Sequence, residues 1–250
     1  MIVRIGALVA ALALVGGCAW GGDDGRDRNP ANRPGYVWPA EPSTAAPAHT
    51  VRGSADGVRG VATFELVHAS DVVRVGVEDL GGDLFRVSTP EDAKVAPAVD
   101  VDGSTVVAGL RGTGLAGPAI VTVVLSDDVF WNVRLAGGAI GESVDLAGGR
   151  GGNVDFSAGT SRAEVALPAA SGTQRVTMSG GASLFTVRLG GDGPVRVAVG
   201  GGAGSVTIDG EIHTGVAGGA AWTPDGWESA QSRYDVAATA GVSTLTVERA

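Results

Sequence analysis

The side chains in this sequence best suited to chemistry are aspartates in a strand-rich pattern. Asp127 and Asp128 are adjacent, and Asp145 and Asp155 recur at positions that alternate with apolar residues. Two carboxylates converging within about 5 to 10 Å would supply the acid and base of a glycosidase. A solvated β surface carries the same residues without chemistry, and we adopt that reading. A Ca²⁺-binding nonapeptide needs Gly-Gly-x-Gly-x-Asp. Gly148-Gly149-Arg150-Gly151-Gly152-Asn153 places Asn where the carboxylate belongs, and Gly201-Gly202-Ala203-Gly204-Ser205-Val206 places Val there. His49, His68 and His213 lack ligand spacing. No Gly-x-Ser-x-Gly elbow, phosphate loop or dinucleotide fingerprint occurs. The sequence therefore assigns no catalytic residue, no metal and no cofactor.

The elements that would carry these side chains are legible from Val133 to Ile208. A Val is followed two residues later by a second apolar residue at Val133/Leu135, Val144/Leu146, Val154/Phe156, Val165/Leu167, Val176/Met178, Val187/Leu189, Val197/Val199 and Val206/Ile208. The first members lie 11, 10, 11, 11, 11, 10 and 9 residues apart. The flanking positions, such as Asn132, Arg134, Asn153, Asp155 and Arg175, are mostly polar. This is the period-two signature of strands with one buried face. Equal short strands with a recurring inward pattern predict an all-β, single-stranded, right-handed β-solenoid with Gly-rich turns. With two units per coil, Val133, Val154, Val176 and Val197 would form one interior column, and Val144, Val165, Val187 and Val206 another. Arg134 would then lie above Asp155.

Upstream, Phe64/Leu66, Val73/Val75, Phe85/Val87, Val99/Val101 and Val123/Leu125 continue the pattern less regularly, so residues 58–250 are read as one domain. Downstream, residues 209–233 interrupt the rhythm before Tyr234/Val236 and Leu245/Val247 resume it. An open solenoid end exposes strand edges and core side chains and needs a cover. Trp222, Asp225, Trp227 and Glu228 in that insertion are the candidate cap or binding surface.

The chain has 250 residues with 42 Gly, a 5% aromatic share and a net charge of -9. So acidic a surface repels phosphate backbones and argues against nucleic-acid partners. Lys94 is the only Lys; with the Ala, Gly and Val bias, this points to a GC-rich genome of actinobacterial type. A single Cys excludes an internal disulfide.

Arg4, the apolar run Ile5–Val15 and small residues before Cys18 read as a secretory signal over 1–17, since 11 residues cannot span a bilayer that needs about 20. Leu14-Val15-Gly16-Gly17-Cys18 resembles a bacterial lipobox. The resemblance implies that Cys18 is lipidated, becomes the mature N-terminus and holds the protein on the extracytoplasmic face of the membrane. Residues 18–57, rich in Pro and Gly, read as an extended tether, interrupted by Tyr36, Val37 and Trp38.

Taken together, the chain resembles bacterial cell-surface domains described as putative adhesins, including the toast-rack domains of cell-wall-active antibiotic response proteins. The resemblance rests on units ending in Gly-Gly, on Leu167-Pro168 with Ser171-Gly172, on Gly180-Gly181-Ala182-Ser183, on Pro194-Val195-Arg196-Val197 and on Gly226-Trp227 with Arg233-Tyr234. It implies a β-solenoid, an envelope location and no assigned catalytic residue. The expected function is a non-enzymatic, lipid-anchored surface protein that binds an envelope polymer or a partner protein, in adhesion or as an envelope-stress accessory. The alternative is a carbohydrate-active enzyme using outward Asp residues. For the anchor, globomycin treatment should block maturation, and mass spectrometry of the untreated N-terminus should find acylated Cys18. A soluble secreted protein with a free Cys18 thiol would sink that assignment.

Overall fold

Alternating residues become strands whose apolar faces meet across a shared interior. The computed structural model describes residues 48–54, 58 and 60–250. The segment 1–17 read as a signal peptide, Cys18, and Tyr36, Val37 and Trp38 of the stretch read as a tether lie outside the described residues. Among the described residues there is no helix, and the strands form two mixed sheets.

At the centre, β8 (Phe130–Leu135), β10 (Gly152–Phe156) and β12 (Thr173–Met178) are parallel neighbours in one sheet, sheet B. β9 (Ala139–Asp145), β11 (Thr160–Leu167) and β13 (Ala182–Leu189) are parallel neighbours in the other, sheet A. The chain alternates between sheets, two strands to a circuit. β2 (Val61–Leu66) and β3 (Val72–Glu78) pair parallel with β8 and β9, and β6 (Thr105–Gly112) and β7 (Ile120–Ser126) lie beyond them. The irregular upstream segment is thus built into the same sheets as the repeat.

A uniform solenoid is not what forms, because the parallel order stops at both ends. At one end β1 (Thr50–Ser54), β4 (Asp83–Ser88) and β5 (Val95–Asp102) join by antiparallel pairing. β1 falls inside the stretch read as tether, so sheet A begins before residue 58. The pattern of Thr50–Ser54 is too short to announce a strand, and it is the backbone of β4 that recruits it. At the other end β14 (Val195–Val199) and β15 (Ala203–Ile208) pair antiparallel with β17 (Ala220–Trp222) and β16 (Glu211–Val216). Asp209 and Gly210, at φ 46° and 89°, make the two-residue turn from β15 to β16, a role suited to Asp-Gly. The end strands blunt their own free edges. β17 is three residues long, β5 contains Pro97, and the pairing of β1 shifts register at Gly53/Ser54.

The last strands, β18 (Arg233–Ala238) and β19 (Val242–Arg249), turn back and insert between the circuit of β12 and β13 and that of β14 and β15. This corrects the columns. Val133, Val154 and Val176 stack directly, but Val236 separates Val176 from Val197. Val144, Val165 and Val187 are followed by Val247 and then Ile208, while Val206 lies beside Leu245. The inserted strands have the same in-and-out pattern, so either order buries equivalent side chains. Burial of each Val, Leu or Phe contributes roughly 1.5 to 3 kcal/mol before ordering costs. Phe156 and Phe185 bridge the interior edge to face, with ring centroids 6.0 Å apart.

Glycine serves this fold in two ways, by adopting positive φ in turns, as at Gly181 and Gly202, and by allowing close approach between circuits. A Cβ on Gly180 would lie 2.0 Å from the carbonyl carbon of Ala158 in the adjacent turn. A Cβ on Gly152 would lie 2.0 Å from the carbonyl oxygen of Trp131.

The apolar inward pattern admits an amide at Gln174, which is 0% exposed, and a carboxyl at Glu142. Glu142 sits between Val73 and Ala163 in its column and is 2% exposed. Neither of its carboxyl oxygens has a well-formed hydrogen bond among the described residues. Burial pushes its pKa up to about 8, and the nearby Thr160 hydroxyl offsets only part of that rise. The folded protein therefore keeps a proton that the unfolded chain releases above its ordinary value of 4.5. Stability from this group is complete below that value and is lost as pH climbs toward 8. Glu142→Gln should flatten the dependence of Tm on pH over that window, and Glu142→Leu should stabilise the protein by about a few kcal/mol at pH 8. Thermal melts from pH 4 to 9 check both.

Candidate binding surface

The outward side chains of sheet B form ordered rows, because parallel strands bring residues of successive circuits into register. One row runs Thr63, Asn132, Asn153, and a second runs Glu65, Arg134, Asp155. Arg175 and Thr177 of β12 continue them. These rows line an open groove of about 620 Å³ across β6, β2, β8, β10 and β12.

The groove is held by its own contacts. The Asn153 amide donates to Asn132 Oδ1 at 2.8 Å, and Asn153 Oδ1 accepts the Arg175 backbone N–H at 2.8 Å. Arg134 Nε donates to Ser157 Oγ at 2.9 Å. The Ser157 and Ser179 hydroxyls donate to the two Asp155 oxygens at 2.7 and 3.0 Å. Arg134 also lies 3.9 Å from Glu65 and 3.8 Å from Asp155. Such interlocked side chains present donors and acceptors already oriented, on strands that cannot easily move.

The same geometry tests the glycosidase alternative. Asp145 lies on sheet A and Asp155 on sheet B, so these aspartates do not converge. Asp145 accepts the Ala147 backbone N–H at 3.0 Å. Asp127 and Asp128 sit in the turn between β7 and β8. Glu65 and Asp155 do share the groove but are two strands apart, roughly 10 Å at ordinary spacing, with Arg134 between them. The Arg134 guanidinium lies 3.9 Å from Glu65 and 3.8 Å from Asp155, so the two carboxylates share one cation.

The histidines are dispersed. His49 Nδ1 lies 2.9 Å from Thr89 Oγ1, the Leu110 backbone N–H donates to His68 Nδ1, and His213 stacks on Trp222.

The insertion splits into two places. Trp222 faces inward opposite Val197, and His213 faces inward opposite Val206. Their rings are 4.7 Å apart and cover the end of the core. Beside them is a 540 Å³ pocket with Val195 and Ile208 beneath and Asp209, Glu211 and Arg249 around it. Trp227 instead lies on the outer face of sheet B and is 4% exposed. The guanidiniums of Arg196 and Arg233 lie over its ring at 4.2 and 4.3 Å from the centroid. Its indole N–H donates to the Tyr234 carbonyl at 2.8 Å. Asp235 grips Arg196 through two bonds of 3.0 and 2.8 Å and raises its pKa beyond that of an ordinary arginine. Asp225 and Glu228 are exposed on the same loop. Trp222 therefore covers the core end while Trp227 pins the loop.

A solved structure from Clostridium sporogenes, described as a putative cell adhesion protein, is similar to this chain at a TM-score of 0.55. The two share a fold. Their identity is 16%, and the match covers 80% of this chain and 98% of that one. Structures of putative adhesins from Bacteroides fragilis and Parabacteroides merdae match 79% and 80% of this chain, and 95% of their own lengths, at 10% identity each. Their TM-scores of 0.24 and 0.20 are too low to carry an argument. No protein-family model and no curated protein matches the chain.

The Trp227 contacts predict a local effect. Trp227→Ala should cost about 3 kcal/mol in chemical denaturation and speed amide exchange in residues 223–232, leaving β8 and β10 protected. Equal loss of protection throughout would contradict a pinning role.

Proposed function

We propose that this chain is a non-enzymatic, lipid-anchored protein of the cell envelope that uses the sheet B groove to bind an envelope polymer or a partner protein. The observation that carries the reading is the preformed double row of polar side chains on parallel strands. Its acid residues are engaged by Arg134 and by serine hydroxyls, which favours holding over turnover. The lipobox-like sequence at Cys18 supports a place on the extracytoplasmic face of the membrane, with the tether as spacer. The cell-adhesion description of the Clostridium sporogenes structure supports an adhesive role. We take the parallel centre as a right-handed β-solenoid, since parallel strands joined by a crossover are right-handed in about 98% of cases.

Thr177→Glu tests the groove. Thr177 lines it from an outward position of β12, so stability should hold within about 0.5 kcal/mol, while retention on isolated cell envelopes should fall by roughly tenfold, a 1.4 kcal/mol loss. Retention at the wild-type level would remove the groove as the binding face. Deletion of the protein separates adhesion from an envelope-stress role. An adhesin should leave sensitivity to envelope-active antibiotics unchanged, whereas a stress accessory should raise it.

A further inference from the structure

Sheet A ends on an edge that the chain does not blunt. β16 is the last strand in its order, with β15 on one side and no strand on the other among the described residues. β5 is interrupted by Pro97, β17 is three residues long and β1 shifts register. β16 has six residues, no proline and one register with β15 from Ser205/Thr214 to Ile208/Glu211. The turn that leads into it determines which backbone groups are free. In a two-residue type I′ hairpin the residues flanking the turn exchange both hydrogen bonds, and bonded and non-bonded pairs alternate from there. Ile208/Glu211 and Val206/His213 are then the bonded pairs, so the N–H and C=O of Ile212 and Thr214 point away from β15. Among the described residues no loop or side chain takes them up. Ile212 is 68% exposed, and Thr214 is exposed as well. Gly215, at φ 62°, ends the regular stretch.

Such an edge accepts an extended chain, which joins the sheet by main-chain bonds and is selected by the pockets that its alternate side chains meet. A pocket is in place here. Glu211 and His213 face the interior from β16 and line the 540 Å³ pocket between the ends of the two sheets. Val195, Ile208 and Trp222 supply its apolar lining. A strand added beside β16 directs alternate side chains to the same side as Glu211 and His213. The charge around the pocket is also selective. Arg249 is held by Asp209 at 3.4 Å and by the carbonyls of Gly191 and Gly193 at 3.2 and 2.9 Å. Glu211 lies 3.5 Å from His213 Nε2, and its side chain is 78% exposed. The rim therefore has carboxylate to spare and favours a basic neighbour over an acidic one.

We propose that β16 is a docking edge for an extended segment of another protein. The segment joins sheet A as a further strand, places an apolar side chain in the pocket and sets a lysine or arginine against Glu211. A second copy of this chain fits less well, because its own β16 brings another glutamate and no lysine or arginine to the pairing. The inference stands whether or not the sheet B groove is a binding face.

A random library of short peptides displayed on phage, panned on the immobilised full-length protein, tests it. Enriched peptides should alternate apolar and polar residues and carry a lysine or arginine at a fixed offset from an apolar one. A synthetic peptide of enriched sequence should bind Ile212→Pro about tenfold more weakly than wild type. The Tm of Ile212→Pro should stay unchanged, because the N–H it removes bonds nothing within the fold. Methylating the backbone nitrogens of alternate peptide residues should abolish binding in one phase of the alternation and leave it intact in the other. No enrichment, enriched peptides without a basic residue, or binding indifferent to N-methylation would overturn the docking edge. So would a wild-type dimer in size-exclusion chromatography that Ile212→Pro dissociates, which would make a second copy the occupant.

Discussion

Parallel backbone pairing between successive circuits is the constraint on which the rest of this structure depends. Each strand takes its neighbours from the circuits on either side, so the side chain at a given position lies beside its counterpart at every level. Inside, this stacks Phe64, Val133, Val154, Val176, Val236 and Val197 into one column. Outside, it aligns Glu65, Arg134 and Asp155. The core and the groove are two faces of one register. A slip of one residue would send polar rows inward and valines outward, so the hydrophobic columns also fix the spacing of the groove's donors and acceptors.

A parallel stack has one intrinsic weakness, which is that its first and last circuits have open edges and open interiors. The chain treats both ends alike, running outward and returning. β4 and β5 precede β6 and β7 in sequence but lie outside them, and β14 to β17 precede β18 and β19 but lie outside them. Antiparallel pairing follows, because a hairpin can turn back in two residues where a parallel strand needs a full crossover. Trp222 and His213 then close the end of the core.

What the sequence reveals follows from what its patterns encode. Period-two alternation encodes which face a residue shows, so the inward members from Val133 to Val199 and the Arg134–Asp155 neighbour relation are readable without a structure. Alternation does not encode the order of strands in a sheet. The repeat continues from Val187 to Val197 without a break, while in space Val236 and Val247 intervene. Nothing local distinguishes these arrangements, because the returning strands offer the same apolar pattern to the same interior. The two tryptophans are separated for a related reason. Trp222 is on a strand and inherits an inward position, whereas Trp227 is on a loop and is placed by Arg196 and Arg233, which are distant in sequence from one another. The groove rows were visible in principle, as Asn132, Asn153 and Arg175 recur at the length of one circuit, once that length is known to be two strands.

The separation of inward and outward positions also governs how function can be carried on such a fold. An inward residue is constrained to be apolar and of suitable volume, and errors there cost several kcal/mol. An outward residue changes at little cost, commonly within about 0.5 kcal/mol. Two chains can therefore keep the same columns while their outer rows diverge completely. Shared architecture then carries no shared ligand, and recognition must be argued from the rows themselves. In this chain the rows carry Arg134 and Arg175 with Glu65 and Asp155 amid amides and hydroxyls, so the groove has little net charge although the protein as a whole is acidic. A ligand matching that surface would meet many oriented donors and acceptors and little bulk charge. Long-range attraction would then contribute little, and selectivity would rest on side chains held in place by strands that the apolar columns beneath keep rigid.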